Sequence, residues 1–105
     1  MSGFLIAPAA RIDLREIWDY YAVELQNPRT ADRIRDEIFK GFRKLVKSPG
    51  IGHFRQDLAD EPLRFWLVRR FLIVYRGEKQ PIEIVRVLHG SRNVQAILGG
   101  MEADD

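Results

Sequence analysis

Two stretches of the chain carry apolar residues at helical spacing, and only an Asn27-Pro28 break separates them. The first stripe is Leu14, Ile17, Trp18, Tyr21 and Leu25, with Asp13, Arg15, Glu16, Asp19 and Glu24 on the other faces; the second is Ala31, Ile34, Ile38, Phe42 and Leu45. A period of about 3.6 residues puts each set along one side of a helix. Asn27 offers a side-chain oxygen to the free amides of a new helix, and Pro28 suits the first helical position, where an N–H would have no partner. The second helix should run to about Lys47, with Lys44 and Lys47 favourable at the C-terminal end of the dipole and Ser48-Pro49-Gly50 ending it. Helices joined by so short a turn lie antiparallel, and their stripes need a common partner.

Three runs rich in Val, Ile, Phe, Trp and Tyr supply that partner at 63–68, 71–76 and 82–88. They read as an antiparallel meander. Gly77-Glu78-Lys79-Gln80-Pro81 has turn chemistry, whereas Arg69-Arg70 is a poor tight-turn pair because neither residue takes positive φ cheaply, which leaves the register of the first hairpin open. Phe4, Leu5 and Ile6 make a short strand ending before Pro8. Residues 93–98 suit one helical turn, and 49–62 is the longest irregular segment, a length at which loops are often functional. The expected fold is α+β: a two-helix hairpin packed on an antiparallel sheet of three to four strands. Residues 1–98 read as one domain and 99–105 as an acidic, flexible tail.

The 105 residues hold no cysteine, which removes disulfides, thiolate metal sites and cysteine nucleophiles. His53 and His89 are too far apart for a local zinc motif. No apolar run is long enough to span a membrane, and residues 1–8 lack the pattern of a secretory signal, so a reducing, cytoplasmic setting is expected. The net charge of +2 hides an uneven distribution: residues 1–62 are neutral, 63–92 carry 7 basic and 2 acidic side chains, and 93–105 carry 3 acidic ones. The helical cations are balanced by nearby carboxylates and read as solvated faces. The excess sits in Arg64, Arg69, Arg70, Arg76, Lys79, Arg86 and Arg92.

Several blocks carry a likeness to a known family. They are Ala10 with Asp13-Leu14, Glu16-Ile17-Trp18 and Tyr20-Tyr21; then Pro49-Gly50-Ile51-Gly52-His53-Phe54-Arg55-Gln56-Asp57-Leu58; then Arg70-Phe71-Leu72-Ile73-Val74-Tyr75-Arg76; and finally Ile84-Val85-Arg86-Val87-Leu88-His89-Gly90-Ser91-Arg92. In this order, over roughly residues 9–98, the chain resembles a ParE-type member of the RelE/ParE toxin superfamily. The resemblance implies the toxin of a type II toxin–antitoxin system, held in a hetero-oligomer by a ParD-like antitoxin and acting on DNA gyrase by binding. It implies no cofactor, no metal, no membrane and no direct sequence-specific nucleic acid. Many relatives follow the last Arg with Asp; Asn93 keeps a helix cap here but loses the charge.

The RelE branch is the alternative: a metal-independent, ribosome-dependent mRNA endonuclease. Such chemistry needs a base for the 2′-hydroxyl, cations for the phosphate and an acid for the leaving oxygen. Arg64, Arg86 and His89 are the candidates for that role. Against it, no Lys lies between Lys47 and Lys79 and no Tyr follows the last strand. Under the ParE reading Arg86, His89 and Arg92 are expected to bind the target, and Leu14, Trp18, Phe42, Arg70 and Tyr75 the antitoxin. His53 and His89 are otherwise read as histidines satisfied by backbone, and Trp18, Tyr21 and Trp66 as core.

Overall fold

The computed structural model describes residues 3–55, 57, 62–90 and 97–98. A strand β1 (Phe4–Ile6) leads into helix α1 (Pro8–Asp19), which opens on a proline at its first turn. The helix then widens into a π turn, Tyr20–Glu24, closed by the Leu25 amide donating to the Tyr20 carbonyl at 3.0 Å. Helix α2 (Pro28–Lys47) starts where Asn27 Oδ1 accepts from the Thr30 amide at 3.2 Å. The remaining strands are β2 (His53–Phe54), β3 (Arg64–Val68), β4 (Phe71–Arg76) and β5 (Ile82–His89).

These strands form one five-stranded sheet in the order β1-β5-β4-β3-β2. The expected antiparallel sheet of three to four strands is therefore corrected: β1 runs parallel to β5, with Phe4 opposite Ile82 and Ile6 opposite Ile84, and the sheet is mixed. β2, too short to show a period, lies inside the segment expected to be irregular and pairs His53 with Phe65. Arg69-Arg70 does make a two-residue turn. Val68 faces Phe71, and Arg69 takes a φ of 54° while Arg70 does not enter the positive region, as in type II′ turns. An ion pair between Arg69 and Glu37 of α2 holds that hairpin end.

The helices cover one sheet face through Ile38, Phe42, Leu45, Ile73, Tyr75, Ile82, Ile84 and Val87. Phe42 meets Phe4 edge-on at 5.3 Å and Phe39 at 5.1 Å, which ties β1 to α2. Gly41 lets α2 approach β3 closely, since a Cβ there would stand 2.9 Å from Val68. The opposite face buries Leu63, Phe65, Val74, Val85 and Leu88 under Leu98. Ile97 and Leu98 are helical as expected, while 93–96 and the acidic tail lie outside the described residues.

β5 contains one residue more than its partner. Val74 faces Arg86 but Tyr75 faces Ile84, so Val85 has no opposite number. This bulge breaks the alternation: Ile84 and Val87 both join the helix-side core, while Val85 and Leu88 join the other.

Candidate functional site

The bulge sets up the first contact of the site. β1 pairs with β5 only as far as Ile84, where the Ala7 amide donates to the Ile84 carbonyl at 2.9 Å. Beyond that point α1 takes over the strand edge. Asp13 Oδ2 accepts from the Val87 amide at 2.9 Å, standing where a neighbouring strand's carbonyl would be. The same carboxylate takes Arg86 Nε and Nη2, both at 2.8 Å, as a two-pronged pair. Asp13 is only 5% exposed. The Arg86 guanidinium is held above its usual range by the hydrogen bonds to Asp13, against the cost of partial burial.

Above this pair the end of the hairpin and the π turn enclose a cleft of about 390 Å³. Glu16, Tyr20 and Tyr21 form one side; Arg70, Phe71 and His89 form the other. Phe71 and His89 are cross-strand neighbours whose rings meet edge-to-face at 5.6 Å. The turn holding Arg70 is fixed to the strand carrying His89, because the Gly90 amide donates to the Arg70 carbonyl at 2.7 Å. The cleft therefore joins an apolar floor to a guanidinium, an imidazole, a phenol and a carboxylate on a rigid frame, with Tyr20 about half exposed at its mouth. A π turn beside such a cleft is a frequent companion of function.

The opposite end of the sheet is occupied differently. The Tyr75 hydroxyl donates to the Pro49 carbonyl at 2.7 Å and accepts from the Gly52 amide at 2.9 Å, fastening the loop after α2 to β4. A Cβ on Gly52 would stand 2.5 Å from that oxygen, so no other residue fits there without displacing the loop. Arg64 Nη1 donates to the Gly52 carbonyl at 2.9 Å, its Nε is 3.5 Å from Glu78, and its guanidinium lies 4.1 Å from the Phe54 ring centre.

These placements sort the expected site residues. His89 and Arg70, expected in separate surfaces, share the cleft. Arg86 adjoins it, but its Nε and Nη2 serve Asp13. Arg92 lies outside the described residues. Arg64, His89 and Arg86 do not converge as cleavage chemistry requires: Arg64 faces Tyr75 and His89 faces Phe71, about 13 Å apart along β4 at about 3.3 Å per residue. Leu14 and Trp18 line a groove of about 350 Å³ between the helices, where Arg35 stacks 5.1 Å from the Trp18 ring centre. Phe42 and Tyr75 are fully buried and are corrected to core groups, because neither offers surface to a partner. His53 is exposed on β2.

Asp13 was placed by its charge on the solvent side of α1, and its role escaped the sequence reading. The signal was its position one helical turn after Ala10 and one before Ile17, on the flank of the buried stripe, where an acidic residue requires a partner.

Comparison with known proteins assigns this architecture. The profile described as "ParE toxin of type II toxin-antitoxin system, parDE" matches residues 4–94. Toxin ParE1 of Caulobacter vibrioides is 31% identical over 103 residues, covering 94% of this chain and all of that protein. A chain described as "Chromosomal ParDE TA system from P. aeruginosa" superposes with a TM-score of 0.68 over 83% of this chain and 94% of its own, at 23% identity, a likeness of fold. With the strand order, the helical hairpin and the sequence match in agreement, the chain belongs to the ParE toxin family of type II toxin–antitoxin systems.

Proposed function

We propose that this toxin acts on DNA gyrase by binding, without cutting nucleic acid, and that a cognate ParD-like antitoxin neutralises it. The supporting observation is the cleft at the hairpin end, where His89, Arg70, Tyr20 and Glu16 present polar groups around an apolar floor. A cleft of this kind suits recognition of a protein surface. Cleavage would instead require a base, an acid and a phosphate-holding cation around one point, and the arginines best placed in sequence for that work are engaged by Asp13 and by the Gly50–Gly52 loop. No step in this reading calls for a metal or a cofactor.

The test is a supercoiling and DNA-cleavage assay on purified gyrase. Inhibition that falls at least about tenfold in Arg70→Glu and in His89→Ala, with unchanged folding, is the expected result for contacts at the centre of an interface. Unaltered gyrase at a large toxin excess overturns the proposal. Codon-positioned cleavage of mRNA in translating ribosomes, lost in His89→Ala, would establish the RelE-type alternative instead.

A further inference from the structure

The two halves of α2 carry charge differently. Asp32, Asp36 and Glu37 are interspersed with the arginines of its opening turns, whereas from Lys40 onward the charged residues are Lys40, Arg43, Lys44 and Lys47, with no carboxylate among them. Spacings of three and four put all four on one side of the helix, and each is exposed. They stand along the seam where α2 meets β3, with Trp66 and Leu67 on the strand side. Among the described residues, no carboxylate is paired with any of the four. Glu37, the one acidic group in the seam, is engaged by Arg69, and Asp36, one turn before Lys40, marks where the row ends.

The helix dipole accounts for only part of this charge. Lys44 and Lys47 lie in the last turn, where cations answer the free carbonyls, but that effect fades beyond one turn and does not reach Lys40. Seven residues of helix separate Lys40 from Lys47, so four like charges repel one another along about 10 Å. A partner with evenly spaced negative charge relieves that repulsion.

We propose that this row holds the phosphate backbone of duplex DNA, without reading its sequence. One strand of a duplex presents a phosphate about every 3.4 Å of axis, so a row of about 10 Å faces about three of them. Lysine, which supplies three of the four cations, meets phosphate as a point charge on a flexible stem and needs no fixed geometry. Because the row runs beside β3, this side of α2 can lie along a backbone but is not free to enter a major groove and reach base edges. Single strands are disfavoured, since they are held by aromatic rings on which bases stack. The Trp66 ring in this seam is half-buried and already carries the Lys44 ammonium 5.4 Å from its centre. A second copy of this chain would bring like charges together. A toxin held by phosphates alone slides and hops along DNA, so it searches for its target there rather than through bulk solution.

The test titrates a fluorescently labelled DNA duplex of arbitrary sequence with the full-length toxin, without gyrase or antitoxin, over a series of salt concentrations. Contact with about three phosphates should make log Kd rise with log salt at a slope of about 3. Lys40→Gln combined with Lys44→Gln, both at exposed positions, should weaken binding at least about tenfold at low salt and lower that slope by about 2. Arg29→Gln combined with Arg33→Gln removes the same charge from the other end of α2 and should change the slope by no more than about 0.5. Equal binding of duplexes of different sequence, and of duplex RNA, is the expected mark of a contact to phosphate alone. No binding at low salt overturns the proposal, as do equal losses in the two double variants, which would mean diffuse net charge. Tighter binding of single-stranded than of duplex DNA overturns it in favour of base stacking, and binding of duplex RNA alone overturns the assignment to DNA. Gyrase is absent from the titration, so failure here leaves the gyrase reading standing, and gyrase left unaltered in its own assay leaves this proposal standing.

Discussion

Removing the Asp13 carboxylate would leave the Arg86 guanidinium half enclosed and the Val87 amide without its acceptor. Breaking one side of a buried pair costs about 3–5 kcal/mol, whereas replacing both members with apolar groups is often far milder. Asp13→Ala should therefore lower the unfolding free energy by about 3 kcal/mol or more in urea titrations, and Arg86→Met added to it should restore at least about 1 kcal/mol. A double variant weaker than Asp13→Ala alone would show that the pair is not the source of the loss. Tyr75 makes a different prediction. Burial holds its hydroxyl above the usual value of 10.0, so the folded chain favours the neutral phenol. That contribution is complete below the unfolded tyrosine's pKa and is lost as pH rises through the higher folded value. Tyr75→Phe should cost about 1–3 kcal/mol at neutral pH, through the orphaned Gly52 amide and Pro49 carbonyl. It should also flatten the fall in urea midpoint as pH rises through and above the ordinary tyrosine value of 10.0; equal slopes in the two proteins would contradict the assignment. At this scale the sequence was legible in part. It named His89 as a target contact and Arg70 as an antitoxin contact, without bringing the two together in one cleft. It misjudged Phe42 and Tyr75, because a stripe residue and a strand tyrosine look alike whether they face a core or a partner.

The helices show how one irregular turn limits what periodicity can tell. The stripe of α1 holds through Leu14, Ile17, Trp18 and Tyr21, all buried or half-buried against the core. Leu25 belongs to the same pattern on paper, yet it is 52% exposed. The π turn inserts one residue beyond the α repeat, which rotates everything after it by about 100° around the axis. Leu25→Asp should accordingly change stability by no more than about 0.5 kcal/mol, while Ile17→Asp should cost about 3 kcal/mol or more. Equal losses in thermal or urea unfolding would restore the uninterrupted helix. α2 was readable end to end, because Asn27, Pro28 and the Ser48-Pro49 stop act locally. The Arg69-Arg70 turn was not, since its positive φ is held by tertiary contacts: the Glu37 ion pair and the Gly90 to Arg70 hydrogen bond.

Charge and connectivity belong to the whole molecule, and there the folded chain rearranges what its linear order suggested. The sheet held the positive excess in sequence, but Arg64, Arg69, Arg76 and Arg86 each have an acidic neighbour in space: Glu78, Glu37, Glu83 and Asp13. The neutral sum over residues 1–62 concealed the opposite case. Acidic residues lie in the first half of α2, and the four cations from Lys40 to Lys47 follow without one. No tally along the chain could show this, because pairing depends on which elements meet. Connectivity gives a prediction at the same scale. Deleting residues 1–7 removes the partner of the β5 edge and the Phe4 ring from the aromatic group on α2. The truncated chain should lose about 4 kcal/mol or more, from the lost aromatic burial and the exposed ladder, and should lack a sharp thermal transition; a cooperative melt close to that of the intact chain would disprove it. The pairing of β1 with β5 also bears on synthesis. The first strand to leave the ribosome pairs with the last strand of the sheet, so the sheet cannot close until β5 has also emerged. Until then the nascent chain can form its helices but not the frame that sets Arg70 beside His89.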